Sequence, residues 1–589
     1  MKRKIKFLLL GSLVLSGCNF NPQAIFNNVS NFFANVFASK KGEQTCHHNI
    51  VVDPAVEATC SSTGLTEGKH CDICGEVIIV QEVIEKKEHT IVVDPAIEPT
   101  YTESGLSEGS HCSVCGEVIV AQTEIPAQTQ GHVIFEVEGV GGKIIGKTDQ
   151  IFNVGDSTEP VKAIADIGYK FKEWSNGSTD RTFSYVPTKD ETIKAYFEVD
   201  TDPLPTISIN TTDGAPVDSK EVWVTCEIST KSQTEKYCYE NLTGKIKGRG
   251  NSTWGMPKKP FKFKLDSKTD LFGFGKAKNW VLLANYDDPS SLRNQIAYTS
   301  GKCLDDISEF TPDTMQVEVL LNGEYLGVYN FTEQIEINKN RVDITKDSPE
   351  ADTGFVIEQD WRAPDEGVEN TDYFVVNGVA YAVKDPDPDD ELTSEQMAFI
   401  KNYFTQCVNA LSGNDYDSIN NLIDVNTFAA TYIIQEMCKS VDIGGLSFYF
   451  YKDAGGKLCS GPIWDFDITQ GNCDYGPTSI LTDYLYAREV NFYYNNLCKF
   501  ADFRDLVASK LSDKYEAISE NIDYQIEFAK SHADSFYRNF DKWQTIGIYV
   551  WPNPAELVAI KTWEGHLDYL QNWTQSSLSY LKGYYSLNE

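Results

Sequence analysis

Between residues 206 and 360, apolar and polar side chains alternate in short runs: TISIN, EVWVTCEIS, GKIKGRG, FKFKLD, WVLLAN, QVEVLLN, YLGVYNF and GFVIEQD. A period of two is the pattern of a half-buried strand, so this stretch is predicted to be strand-rich. In FKFKLD the alternation puts Phe261, Phe263 and Leu265 on one face and Lys262 and Lys264 on the other. From about 393 the period lengthens. LTSEQMAFIKNYFTQCVNALS, VNTFAATYIIQEMCKSV and several stretches between 500 and 585 carry apolar residues at helical spacing. The fold class expected for 205–589 is therefore α+β, with a strand-rich lobe joined to a helical lobe. Ahead of it, HVIFEVEG, GKIIGK, IFNVGD, TFSYV and TIKAYFEV alternate between Gly, Asn and Asp breaks, predicting a small β-rich module over 131–200. TDPLP (201–205) reads as a linker.

The first residues have a different pattern. Lys2, Arg3, Lys4 and Lys6 precede the apolar run FLLLGSLVLSG, which is too short to span a bilayer. It ends at Leu15-Ser16-Gly17-Cys18, which resembles the lipobox of bacterial lipoproteins, in which the cysteine is acylated. The expected localisation is extracytoplasmic, with the lipid on Cys18 as the membrane attachment. Residues 1–18 are then a signal peptide and 19–45 a spacer.

A duplication follows. VVDPAVEATCSSTGLTEGKHCDICGEVII (51–79) returns as VVDPAIEPTYTESGLSEGSHCSVCGEVIV (92–120), 41 residues later. Fixed-period similarity marks tandem modules, here 46–87 and 88–130. Each carries His-Cys-x-x-Cys: His70, Cys71 and Cys74, then His111, Cys112 and Cys115. His48 and His89 precede them at a common offset, and five of the chain's 8 histidines lie in 47–111. Two thiols spaced Cys-x-x-Cys can approach one tetrahedral ion, with a more distant Cys or His completing it. Cys60 is the expected third thiolate of the first module, with His48 or His89 as fourth ligand. The second module has Tyr101 in place of Cys60, so His111 or His132 is expected to substitute there. Structural zinc is one reading. Disulfides are the other, since an exported chain meets an oxidising environment. These repeats resemble small cysteine-knuckle modules of bacterial surface proteins, and a stalk role is expected of them. GYKFKEWSNGSTDRTFSYVPTKDETIKAYFE, in the module after them, resembles the internalin-type B-repeat, which implies spacing or adhesion.

Charge narrows the partners. With 51 Lys+Arg against 86 Asp+Glu, the net charge is −35. Nucleic acid is not an expected partner, because phosphate-backbone binding needs a basic face.

The candidate chemistry lies in the large domain. GPIWDFDITQG places Asp465 and Asp467 two residues apart at an apolar strand end. Burial penalises both charged forms and each repels the other; a metal ion would relieve both costs, as would a solvated turn. In KIKGRGNSTWGMPKKPFKFKLD, the turn bearing Arg249 and Asn251 offers backbone amides beside Lys262 and Lys264, a combination suited to phosphate oxygens. KNWVLLANYDDPSSLRNQIAY puts Asn285, Asp287, Asp288, Arg293 and Asn294 at the start of a helix, and Glu333 is expected to open another.

RGNSTWGMPKKPFKFKL, NWVLLANYDDPSSLRN, GEYLGVYNFTEQI, the IEQDW segment and PIWDFDITQG occur in the order and spacing of the CotH family. The chain resembles these spore-coat-type atypical protein kinases over about 205–545. The resemblance implies a bilobal kinase-like fold, ATP, and Mg²⁺ or Mn²⁺. It implies that Asp465 binds the metal bridging the nucleotide phosphates, with Asp467 and Gly471 completing the loop. Asp442, in KSVDIGGLSFYFY, takes the place of the catalytic aspartate that receives the acceptor hydroxyl's proton. Lys262 or Lys264 would touch the phosphates with Glu333 as partner, and Glu358 would face the adenine where the lobes join. Ser447 stands where the family tends to carry a metal-binding Asn. The function implied is a surface lipoprotein kinase acting on hydroxyl side chains of exported or surface proteins. The alternative is an adhesin or pseudokinase that binds a protein or glycan without catalysis.

Overall fold

The computed structural model describes residues 46–364, 373–387, 391–476 and 480–586; the lipobox Cys18 lies outside them. Among the described residues no helix is long and apolar enough to cross a membrane. The chain forms two compact units, 1–128 and 129–589.

In the first unit, each repeat is a three-stranded antiparallel sheet, formed by Ile50–Asp53, Gly68–Cys71 and Val77–Ile79, then by Ile91–Asp94, Gly109–Cys112 and Val118–Val120. The registers match: Ile50 faces Cys71 as Ile91 faces Cys112.

The second unit begins with the β-rich module. A four-stranded sheet (Gln130–Glu138, Asp149–Asn153, Tyr169–Trp174, Glu191–Val199) packs its apolar alternate positions around Trp174. Phe135 and Phe183 meet that indole at ring-centroid distances of 5.9 and 5.2 Å. This module is clamped to the helix Ala533–Trp543: Asp534 accepts from Arg181 at 2.7 Å and from the Phe171 N–H at 3.2 Å. Arg538, from the same helix, donates to the Ala165 carbonyl and to Glu318. The TDPLP segment is also packed, with Leu204 buried in the core of the large domain.

Residues 206–333 close into a seven-stranded barrel. Closure is made by a parallel pair, Thr206–Thr211 with Thr314–Leu321. Phe261, Phe263 and Leu265 point inward and their lysine neighbours outward, as the period of two requires. Inside, Phe331 stacks between Trp280 (5.1 Å) and Phe263 (6.3 Å). Glu333 ends the last barrel strand, Glu324–Glu333, instead of opening a helix as the sequence suggested.

The remaining chain builds a five-stranded sheet, ordered Tyr373–Val376, Val379–Asp385, Phe355–Gln359, Phe448–Lys452, Cys459–Ser460. Helices pack against it. Val425–Cys438 is apolar almost all round and is buried along nearly its whole length. The long helices Ala501–Ser531 and Trp563–Ser586 pack on each other and on this central helix. The domain is thus mixed α+β, with β-rich segments first and helices towards its C-terminal part.

Candidate functional site

A cavity of about 570 Å³ opens where barrel strand ends and the five-stranded sheet come together. Asp287, Asp442, Asp465 and Asp467 line it on one side, and Arg249 and Lys262 are also in its wall. In a protein of net charge −35, this pairing of cations with a carboxylate cluster is a specific arrangement.

The loop 464–472 carries two of the carboxylates. Asp465 has left-handed backbone, φ 68°, a conformation that costs a non-glycine residue energy and needs external support. That support is present. Its N–H donates to the Tyr298 hydroxyl (3.2 Å), the next N–H to Asn294 Oδ1 (2.8 Å), and Ser447 Oγ donates to Asp465 Oδ2 (3.1 Å). Arg293, fully buried, donates from Nε to the Thr469 carbonyl (2.9 Å) while its Nη1 pairs with Asp288 at 2.5 Å. The DDPSSLRN segment therefore braces the aspartate loop. Gly471 is required there: it has φ 76°, and a Cβ would lie 2.6 Å from the Tyr569 hydroxyl.

The carboxylates do not tolerate one another's charge. Burial, then Asp288 and Asp465, pushes Asp287 up to about 7 despite Arg293. Burial and Asp465 push Asp442 up to about 7 against the pull of Arg362. Asp467 is raised by burial and then by Asp287, Asp465 and Asp442. Asp287 Oδ1 is buried without a hydrogen-bond partner. An orphaned carboxylate oxygen among mutually repelling acids is what a divalent cation would satisfy, and hard oxygen donors suit Mg²⁺ or Mn²⁺.

This sets a pH dependence. Between about pH 4 and 7 the unfolded chain has released the Asp287 and Asp442 protons and the folded chain retains them. Stability therefore falls as pH rises through that window. Magnesium should restore it only where the carboxylates are ionised. Thermal unfolding is expected to show strong stabilisation by MgCl₂ near pH ~8 and little near pH ~5. Equal stabilisation at both would remove this cluster as the metal site.

The family model for the CotH kinase protein matches residues 246–581, more than half of the chain, and the model for the divergent InlB B-repeat domain matches 135–201. The chain belongs to the CotH kinase protein family. No curated protein matches it. In this CotH domain, the sequence expectation for Asp442, Asp465, Asp467, Arg249, Asn251, Lys262, Ser447 and Glu358 converges on one cavity, since all of them line it. Two expectations are corrected. Lys264 is exposed and is not in the cavity wall. Glu333 does not line the cavity either; it accepts from the Asp313 N–H at 2.9 Å and lies 3.6 Å from Arg341, whose Nη1 pairs more closely with Glu336 at 2.5 Å. The Lys–Glu ion pair in the cavity wall is instead Lys384–Glu358, at 2.8 Å. Lys384 was not singled out in the sequence, because its pairing follows from a register shift at Val356/Ile357 that no local pattern announces. Asp287 was noted only as helix-start polarity; its place among the carboxylates is a tertiary fact.

The repeats also depart from expectation. The structure brings together Cys46, His48, Cys71 and Cys74, and separately Cys60, His89, Cys112 and Cys115. Cys60 thus belongs to the second group, and Cys46 replaces it in the first. His111 and His132 ligate neither group: His111 Nδ1 faces Asp94 at 2.8 Å, and His132 Nε2 faces Asp149 at 2.7 Å.

Proposed function

We propose that this protein is an atypical kinase that moves the γ-phosphoryl group of ATP to a hydroxyl side chain of an exported or surface protein. The observation that carries the reading is the convergence of Asp287, Asp442, Asp465 and Asp467 on a cavity shared with Arg249 and Lys262. On this reading the barrel and the helix-covered sheet act as two lobes with the nucleotide between them.

Asp465 and Asp467 hold Mg²⁺ or Mn²⁺, with Asp287 adding an oxygen. The metal, when bound, neutralises charge on the phosphates. Arg249, held over the Trp464 ring at 5.6 Å, and Lys262 meet the phosphate oxygens. Asn251, its amide oriented with the oxygen towards the Arg362 guanidinium at 3.0 Å, fixes the turn. Lys384 holds Glu358 at the adenine side. Asp442 accepts the acceptor hydroxyl's proton as that oxygen bonds to phosphorus and ADP departs. Its elevated affinity for protons, near neutrality, suits a general base. Ser447 spends its hydroxyl on Asp465, so it orients that carboxylate instead of adding a strong ligand.

We further propose an extracytoplasmic location through a lipid on Cys18, with the cysteine repeats as a stalk-like segment. The test is the purified chain with labelled ATP and Mg²⁺ or Mn²⁺. Label on the chain itself or on added acceptor proteins is expected. Nucleotide with metal, at a hundred times its dissociation constant, should stabilise folding by ~2.7 kcal/mol. Stabilisation without label would assign a nucleotide-binding pseudokinase. Neither effect would favour an adhesin.

A further inference from the structure

The first unit has almost no apolar core. The buried apolar-type side chains among its described residues are Ala58, Cys60, Cys71 and Cys112. Ile50, Val52, Val77 and Ile79 are exposed, as are Ile91, Val93, Val118 and Val120. Modules of about 40 residues rarely hold themselves together by burial, and these bury mainly sulfur.

The geometry around that sulfur is specific. Cys60 Sγ lies 3.7 Å from Cys112 Sγ, and Cys46 Sγ lies 3.9 Å from Cys71 Sγ. Two sulfurs bound ~2.3 Å from one tetrahedral ion stand ~3.8 Å apart, and a sulfur and an imidazole nitrogen stand ~3.5 Å apart. His48 Nδ1 is 3.5 Å from Cys74 Sγ, and His89 Nδ1 is 3.5 Å from Cys115 Sγ. The other ring nitrogen faces a carboxylate in both cases: His48 Nε2 to Glu76 at 3.6 Å, His89 Nε2 to Glu117 at 3.4 Å. A carboxylate near the outer nitrogen favours the tautomer that leaves Nδ1 free to ligate. Backbone N–H groups of Ile73 and Cys74 are directed at the Cys71 sulfur, and those of Val114 and Cys115 at the Cys112 sulfur. His70, turned to Asp53 at 2.8 Å, is not part of the set.

The fourth ligand comes from a different place in each group. At the 41-residue offset, Cys46 corresponds to Lys87. The Lys87 N–H donates to the Thr59 carbonyl at 3.1 Å, as the Gln128 N–H does to the Thr100 carbonyl at 3.0 Å in the second repeat, so both copies hold this turn alike and the first copy's Cys60 reaches Cys112 from it. The counterpart of Cys60 is Tyr101, and no third Cys-x-x-Cys follows it in the sequence.

We propose that each group holds one zinc ion as a Cys₃His site, and that Cys60 is supplied by the first repeat to the second, so that the second ion staples the two repeats together. Three sulfurs and an imidazole in tetrahedral array favour zinc over hard cations. This assignment is independent of the phosphotransfer reading.

The test is the full chain purified under reducing conditions with zinc present. Two zinc ions per chain are expected, with Cys46, Cys60, Cys71, Cys74, Cys112 and Cys115 all protected from alkylation until a chelator is added. In Cys60→Ser the zinc content should fall from two to one, with Cys112 and Cys115 alkylated and Cys46, Cys71 and Cys74 still protected. Cys46→Ser should give the reverse pattern. Exposure of Cys71 and Cys74 in Cys60→Ser would overturn the staple, because Cys60 would then serve its own repeat. Loss of both ions in that variant would overturn the two separate sites. A zinc-free parent in which all six of these thiols alkylate without a chelator would overturn the metal altogether.

Discussion

Asp465→Asn is expected to abolish phosphoryl transfer. The substitution keeps the side chain's size and its acceptor oxygen for Ser447, so the loop should still form. What it removes is one negative charge from beside Asp287 and Asp442, whose carboxyls are both pushed up to about 7. Metal affinity should fall, and with it the neutralisation of the transferring phosphate. Loss of an electrostatic element of this kind costs ~10²–10³ in rate, and loss of the metal itself costs more. Asp442→Asn should separate the steps: metal-dependent nucleotide binding is retained, while transfer falls by ~10²–10⁴ for want of a proton acceptor. Labelling rates and nucleotide-induced thermal shifts on the two variants provide the check. If both label at the parent rate, the cavity is not where phosphoryl transfer takes place.

The second large effect is structural. Arg293 and Asp288 are both fully buried and paired at 2.5 Å. Arg293→Met removes the cation but not the acid, leaving a buried carboxylate with only Ser290 and the backbone N–H of residue 293 as partners. Breaking one side of such a pair costs ~3–5 kcal/mol. It also releases the Thr469 and Gln470 carbonyls that Arg293 holds, so the aspartate loop should loosen with the fold. Denaturant unfolding of the 129–589 unit is expected at a markedly lower midpoint, together with loss of magnesium stabilisation. Arg293→Lys, which keeps the charge but not the fork, should fall between. An unchanged midpoint in the methionine variant would mean that Arg293 does not brace this loop.

How far the sequence could be read depended on the range of the interaction. The FKFKLD alternation was legible because a strand exposes its two faces at each successive residue, and Phe263 is indeed inside the barrel and Lys262 outside. The all-round apolar VNTFAATYIIQEMC segment was legible as a helix for a similarly local reason. Asp442 and Asp465 could be placed because motif order, not geometry, pointed to them. Barrel closure by a parallel pair over a hundred residues apart had no local signal. Nor did the identity of the partners: Glu333 was assigned a lysine and met Arg341, while Glu358 met Lys384. The exchange of Cys60 for Cys46 was hidden in another way. The repeat made each module look self-contained, and it takes the 3.7 Å approach of Cys60 Sγ to Cys112 Sγ to show that the boundary between ligand sets does not follow the boundary between copies.

That exchange gives the tandem array the logic of a polymer. Cys46 behaves as an initiator, supplying one thiolate to the first knuckle without belonging to a preceding copy. Residues 47–87 behave as the propagating unit: they take a thiolate from behind and present Cys60 ahead. Tyr101 is the terminator, since it offers the next unit nothing to bind. Inserting another copy of 47–87 before residue 88 would lengthen the array by one complete metal site, whereas copying 88–128 would leave a knuckle one ligand short.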